Sequence, residues 1–248
     1  MKISTEIGSI SKHMGYEKAV ECVAKAGFDA FDLSMFDMAT YDWSRGCVVE
    51  NNSIFSESEY RKTARRLKQV GMDHGIVCNQ SHAPFPVSVP EIRSCLKRAI
   101  ECTAEAAGRI CVIHPDNNKT ADENAEMYLD LLPFAKEHHV KIATENMWNW
   151  DNAKGHAAPA ACSSHEDFLA HIEAVNDPDF VACLDIGHAE MQGLNTSAEQ
   201  MILTLGSHLC ALHIHDNNRV NDNHQIPFSM CIDFERVVKA LKRIDYKG

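Results

Sequence analysis

An alternation limits what this chain can fold into: short apolar runs trade places with amphipathic stretches seven times along its length. The runs at 3–7, 30–33, 76–79, 110–114, 142–145, 181–186 and 210–215 read as strands. The stretches at 16–26, 57–70, 91–107, 122–138, 165–175, 198–205 and 234–244 read as helices. Ser56-x-x-Glu59 and Ser163-x-x-Glu166 have the form of capping boxes, and Ser197-x-x-Gln200 is a weaker one. Turns such as Ala26-Gly27-Phe28-Asp29 and Gly71-Met72-Asp73 end a helix and lead into a strand. Repeated strand-then-helix units with no Pro/Gly-rich linker predict one parallel α/β domain over residues 1–248. A doubly wound sheet and a closed barrel both satisfy the alternation, and its regularity favours a (β/α)8 barrel. The residues given stop at Tyr246-Lys247-Gly248, where an eighth strand is due. The expectation is therefore a barrel truncated before its eighth strand, because a seven-stranded barrel would leave two open edges.

Composition excludes several classes. Hydrophobic residues make up 45% and charged residues 24%, an ordinary globular balance. The net charge of -11, with no run of Lys or Arg, disfavours nucleic acid and anionic membrane as partners. Ten cysteines are scattered singly, without CxxC or zinc-finger spacing, as suits a reducing compartment. With neither a signal-peptide core nor an apolar stretch long enough to span a bilayer, the expected location is cytoplasmic. Fourteen histidines are the unusual count. His13, His74, His138, His139, His165, His171 and His208 fall in helix or linker segments and read as solvated surface residues.

The chemistry concentrates at the strand ends. The third strand runs into His82, the fourth ends at His114, the fifth at Glu145, the sixth at Asp185 with His188 just beyond, and the seventh at His213 and His215. In parallel barrels catalytic groups come from the C-terminal ends of several strands. Alternation puts Ala143 with Glu145, Cys183 with Asp185, and Ala211 with His213 on shared faces. Singly, each has a plain structural use: His114 can bond a loop carbonyl, Asp185 can cap the next turn, and Glu145 can pair with a Lys. Five strands in succession ending in such groups point instead to a shared metal site. Carboxylates and imidazoles without thiolate suit one divalent ion, Mn, Co, Mg or Zn. Such an ion either polarises a carbonyl or generates hydroxide.

The phrases Ser81-His82-Ala83-Pro84, Ala143-Thr144-Glu145-Asn146, Leu184-Asp185-Ile186-Gly187-His188-Ala189 and His213-Ile214-His215-Asp216-Asn217 together resemble the xylose isomerase-like TIM barrel superfamily. Asp222-Asn223-His224 and the closing helix extend that likeness over essentially the whole chain. The superfamily holds sugar isomerases and epimerases, inosose dehydratases and endonuclease IV-like enzymes. The resemblance implies a sugar or polyol isomerase or epimerase acting by proton transfer next to a metal-bound carbonyl. Glu145, Asp185 and His213 would be metal ligands, with a fourth, a Glu, on the eighth strand. Glu145 would also be the acid/base, and His188 would contact sugar hydroxyls. His82, His114, His215, Asp222, His224 and Trp148 are candidate substrate or outer contacts. Relatives of this kind are usually homo-oligomers, dimers or tetramers.

Three alternatives remain at this point. An endonuclease IV-like zinc phosphodiesterase would use His82, His114, Glu145, Asp185, His188, His213, Asp222 and His224 around three ions, against the unfavourable net charge. A dehydratase would use the same metal site. A non-catalytic sugar-binding barrel would be expected to have an incomplete ligand set. Two features sit outside the ligand pattern. Pro227-Phe228-Ser229-Met230 stands where relatives carry a glycine-rich turn, and Asp32 ends the second strand, where a structural role is as natural as a functional one. The segments Met147-Trp148-Asn149-Trp150 and Tyr41-Asp42-Trp43 suit a wall against a sugar ring or plain loop packing equally.

Overall fold

The computed structural model describes residues 2–50 and 52–248. Seven strand–helix pairs follow one another: β1 Ser4–Glu6 and α1 Tyr16–Lys25, β2 Ala30–Ser34 and α2 Tyr60–Asp73, β3 Val77–His82 and α3 Leu96–Glu105, β4 Ile110–Val112 and α4 Ala121–Glu137, β5 Lys141–Glu145 and α5 His165–Val175, β6 Phe180–Asp185 and α6 Ala198–Leu205, β7 Leu209–His213 and α7 Phe234–Arg243. The chain forms two compact units, Met1–Ile113 with Leu131–Ile142, and His114–Asp130 with Ala143–Gly248.

In the first unit β1, β2, β3 and β4 pair in sequence order, all parallel. Strands buried on both faces need near-continuous apolar runs, and all five residues of β2 are buried. Helix α1 turns Ala19, Val20 and Val23 inward, and α2 turns Ala64, Leu67 and Val70 inward, at the spacing of one helical face.

In the second unit the strand order is β5, β6, β7. Every residue of β6 is buried. Phe180 at its start packs on Tyr128 with ring centroids 4.5 Å apart. The β6–β7 register shifts after Ala182, and the shift sets Asp185 opposite His213. Helix α7 buries Phe234, Val237 and Ala240, and Asp233 caps its first turn through the Glu235 and Arg236 amides.

Several details differ from the sequence expectation. An extra helix, Gly8–Met14, follows β1, its first amides held by the Glu6 carboxylate. The expected helix 91–107 is broken, as Pro90–Arg93 and then α3. Ser56 caps nothing: α2 starts after Glu59 without a side-chain cap, and the Ser56 hydroxyl donates to the Ser53 carbonyl. Ser164, not Ser163, caps α5 by accepting from the Asp167 amide, because the Ser163 hydroxyl is occupied with the Ala160 amide. Ser197 caps α6 as expected.

Two hairpins were not anticipated: Thr40–Asp42 with Cys47–Val49 in the first unit, and Asn149–Asp151 with His156–Ala158 in the second. Their turns are chemical copies. Asp42 holds the Ser44 and Arg45 amides, Asp151 holds the Ala153 and Lys154 amides, and Gly46 and Gly155 each close the turn at φ +68°. His171 is another correction. It is buried, with its Nε2 3.2 Å from the Asn124 amide nitrogen and its Nδ1 2.8 Å from the Asp167 carbonyl oxygen. Among the described residues no helix is long and apolar enough to cross a membrane.

Candidate metal centre

The second unit gathers most of the strand-end residues. Glu145 closes β5 and is 2% exposed. Its Oε2 lies 3.1 Å from His114 Nε2, and its Oε1 lies 3.1 Å from His213 Nδ1 and 3.7 Å from His188 Nδ1. Asp185 closes β6 and caps the short helix Ile186–Ala189, its Oδ1 accepting from the His188 amide at 2.8 Å. The structural use allowed for Asp185 is thus real, and the same carboxylate also stands 3.0 Å from His215 Nε2.

Asn146 braces this pair of strand ends. Its amide group donates to the Asp185 carbonyl at 2.9 Å and accepts from the Asp185 amide at 2.7 Å. Its own carbonyl lies 2.9 Å from His188 Nδ1, the position of an acceptor, which aims His188 Nε2 at Asp222 Oδ2, 3.3 Å away. Asp222 also meets His215 Nε2 at 3.4 Å and His224 Nε2 at 3.1 Å. The His215 and His224 rings stack, 4.1 Å apart and within 9° of parallel. Gly187 makes room for them: a Cβ there would overlap the His215 ring. Trp148 packs on Ala157, Met191 and Leu194, and its ring stands 6.3 Å from the His188 ring. Trp43 of the other aromatic segment is exposed.

His82 lies in the first unit, buried at the end of β3 with its ring 4.8 Å from that of Phe36. Asp32, in the same unit, accepts from the Gln80 amide at 2.7 Å.

Electrostatics organise the cluster. Burial pushes the Glu145 carboxyl up, but His213 and His114 outweigh it and hold the group well below the usual carboxylate range. Asp185 is lowered in the same way, burial being overcome by His188 and His215, and Asp222 is lowered as His188 and His224 overcome burial. In return His188 is pushed up to about 10, because Asp185, Asp222 and Glu145 outweigh its burial. His213 is raised well above its ordinary value, burial being overcome by Cys183 and Glu145.

The donor atoms also suit a cation. Glu145, Asp185 and His188 offer ligand atoms within 4.8 Å of one another, as do Glu145, Cys183 and His213, and His188, His215, Asp222 and His224. Both ring nitrogens of His215 and Oδ1 of Asp222 are buried without a hydrogen-bond partner, although His215 Nε2 stands 3.0 Å from a carboxylate oxygen. Buried polar atoms close together but misaligned for a hydrogen bond are what a shared cation would satisfy. Three contributors escaped the strand-end reading. Cys183 was recognised only as sharing a face with Asp185. Asn146 and Gly187 act through backbone contact and space, for which the sequence offers only their place beside Glu145 and His188.

A family model described as xylose isomerase-like TIM barrel matches residues 20–248. The uncharacterized protein MJ1311 of Methanocaldococcus jannaschii is 27% identical over 185 residues, 67% of this chain and 61% of that protein. The chain therefore spans less than two thirds of that relative's length. A D-tagatose 3-epimerase-like protein superposes with a TM-score of 0.74 at 23% identity, over 100% of this chain and 88% of the other. The IolI protein with a bound zinc atom superposes with a TM-score of 0.72 at 18% identity, over 100% and 87%. The fold is that of a TIM barrel, and the chain belongs to the xylose isomerase-like TIM barrel family.

Proposed function

We propose that this chain is a divalent-metal-dependent isomerase or epimerase of a sugar or sugar-like polyol, working by proton transfer at the carbon next to a carbonyl. One observation carries the reading: a buried carboxylate, Glu145, lies between His114 and His213, 3.1 Å from each, at the end of its strand. Glu145, Asp185 and His213 would hold the ion, Mn, Co, Mg or Zn. When bound, it polarises the substrate carbonyl and so makes the neighbouring C–H more acidic.

This chain's residues supply the rest. Glu145 takes the carbon-bound proton and returns it, and only a group within hydrogen-bond reach can do so. His114 Nε2, 3.1 Å from Oε2, orients the carboxylate. His188, its Nδ1 turned to the Asn146 carbonyl, offers Nε2 to a substrate hydroxyl in place of Asp222. Trp148 forms the apolar wall beside it, and His215 and His224 are assigned polar contacts to the substrate. The D-tagatose 3-epimerase-like neighbour supports the sugar class, and zinc in IolI supports the ion.

The test is direct. Protein stripped with chelator and reloaded with each ion is incubated with neutral ketoses, aldoses and cyclic polyols, and products are followed by NMR. Interconversion that disappears with chelator and returns with one ion is the expected result.

The four-residue cluster of His188, His215, Asp222 and His224 favours a second reading, a phosphodiester hydrolase with several ions. Cleavage of an abasic-site duplex, with no sugar converted by any ion, would establish it instead. A net charge of -11 speaks against that outcome.

A further inference from the structure

Two of the site's polar side chains, Asp222 and His224, come from an irregular segment rather than from a strand or helix. Between β7 and α7 the backbone pairs at an isolated bridge, Asp216 with Gln225, in which each amide donates to the other's carbonyl at 2.8 and 2.9 Å, and at the Cys231 amide, which donates to the Asn217 carbonyl at 3.1 Å. A loop of this kind needs an anchor, or its side chains spread over many positions.

The anchor is the Asp216 carboxylate, which is fully buried. Its Oδ1 accepts from the amides of Asn217 at 2.9 Å, Cys231 at 3.1 Å and Ile232 at 3.0 Å, and its Oδ2 accepts from the Met230 amide at 2.8 Å. Four amides on one carboxylate thus reinforce the tie between the start of the loop and its end. The neighbouring Asn217 fastens the start to the site, its amide donating to the Gly187 carbonyl at 2.8 Å. Between those ties, Asp222 reaches His188 and His215.

We propose that Asp216 is a positioning residue for the metal centre, setting the path of the loop so that Asp222 and His224 face His188 and His215. A carboxylate suits this task better than its amide. It has two acceptor oxygens and no donor, whereas asparagine would point an NH2 group at one of the four amides. That the positioned groups serve a sugar substrate rests on the function proposed above; the positioning itself does not.

The experiment compares wild type, Asp216→Asn, Asp216→Glu and Asp222→Ala. Asp233→Asn serves as a control that loosens a carboxylate cap on α7 without touching the site. The first readout needs no substrate: histidine side-chain 1H–15N spectra of the metal-free proteins. Asp216→Asn should move the His188 and His224 ring signals toward their positions in Asp222→Ala, with Asp216→Glu between, while Asp233→Asn leaves them in place. Should Asp216→Asn fail to fold, Asp216→Glu carries this readout alone. The second readout is kinetic. Asp216→Asn should cost roughly tenfold in kcat/KM in the wild-type background and about nothing once Asp222 is alanine. Ring signals unmoved in folded Asp216 variants, or losses that simply add, would overturn the proposal. If no sugar is turned over by wild type, the function proposed above fails, while the ring signals still decide the role of Asp216.

Discussion

Two buried glutamates show how differently one residue type is used in the two units. In the first, Glu101 on α3 is held by the Tyr60 hydroxyl and the Arg61 guanidinium, with His138 Nε2 at 4.0 Å. In the second, Glu145 is held by His114 and His213. Arg61 is a permanent cation on a half-exposed stem, so the Glu101 pair is a strut between helices. The partners of Glu145 are imidazoles, and an imidazole can surrender its proton to a metal ion. Their side chains are also short and mounted on or beside strand ends, which fixes where an ion would sit. Burial and pairing therefore do not mark a functional carboxylate.

Replacing one partner on each side gives the largest contrast. His213→Ala should weaken divalent-ion affinity by roughly a hundredfold or more, read by competition with a chromophoric chelator. Glu101→Gln should leave ion affinity unchanged and lower unfolding free energy by about 1–3 kcal/mol in urea. Equal loss of ion affinity in both would erase the distinction.

A smaller effect is expected from Gly187→Ala, whose methyl group would displace the His215 ring. Its kcat/KM should fall roughly tenfold while the thermal midpoint hardly moves. A variant as active as wild type would remove His215 from the working site.

The pH response follows from the imidazoles. His188, raised from 6.5 to about 10 by Asp185, Asp222 and Glu145 against its burial, favours folding in its charged form. That contribution is fully present below pH 6.5 and is lost as pH climbs through about 10. The urea midpoint of chelated protein should therefore decline over that interval. Ion affinity should rise with pH, since binding displaces the His213 proton, which Glu145 helps to hold above its ordinary range. A midpoint flat in pH would mean that the imidazoles are neutral without the ion.

The smallest effect concerns the twin hairpins. Trp43 is 69% exposed, and Trp43→Ala should change stability and activity little, within about 0.5 kcal/mol. Trp148→Ala, which removes the ring beside His188, should raise KM severalfold in a titration of initial rates.

The repeat was legible in the sequence because doubly buried strands cannot avoid being apolar runs, and α5 and α6 appear at their expected bounds, His165–Val175 and Ala198–Leu205. The Gly8–Met14 helix was not legible, since Glu6, outside it, holds its first amides. The twin hairpins did leave a trace, Asp-x-x-Arg-Gly at 42–46 and Asp-x-x-Lys-Gly at 151–155, which is a turn signal rather than a periodicity. His171 looked like a surface residue because Asn124, which covers it, lies far away in sequence. At the site, the strand pattern put Glu145, Asp185 and His213 at the ends of β5, β6 and β7, where Glu145 meets His213 and Asp185 lies opposite His213 in register. It is silent on the contacts of Asp222 with His188 and His215, which depend on the loop path that backbone amides set.

The most direct measurement is hydrogen exchange at the substrate carbon. Wild-type protein loaded with its preferred ion is incubated with a converted sugar in deuterated water, beside Glu145→Gln, and the α-proton signal is followed by NMR. Glutamine keeps the shape and one oxygen but cannot take a proton. Wild type should wash deuterium into the α-position as it interconverts the sugars, and Glu145→Gln should do neither while still binding the ion, more weakly. Interconversion without deuterium entry would mean that hydrogen passes directly between carbons, and Glu145 would then lose its role as the base.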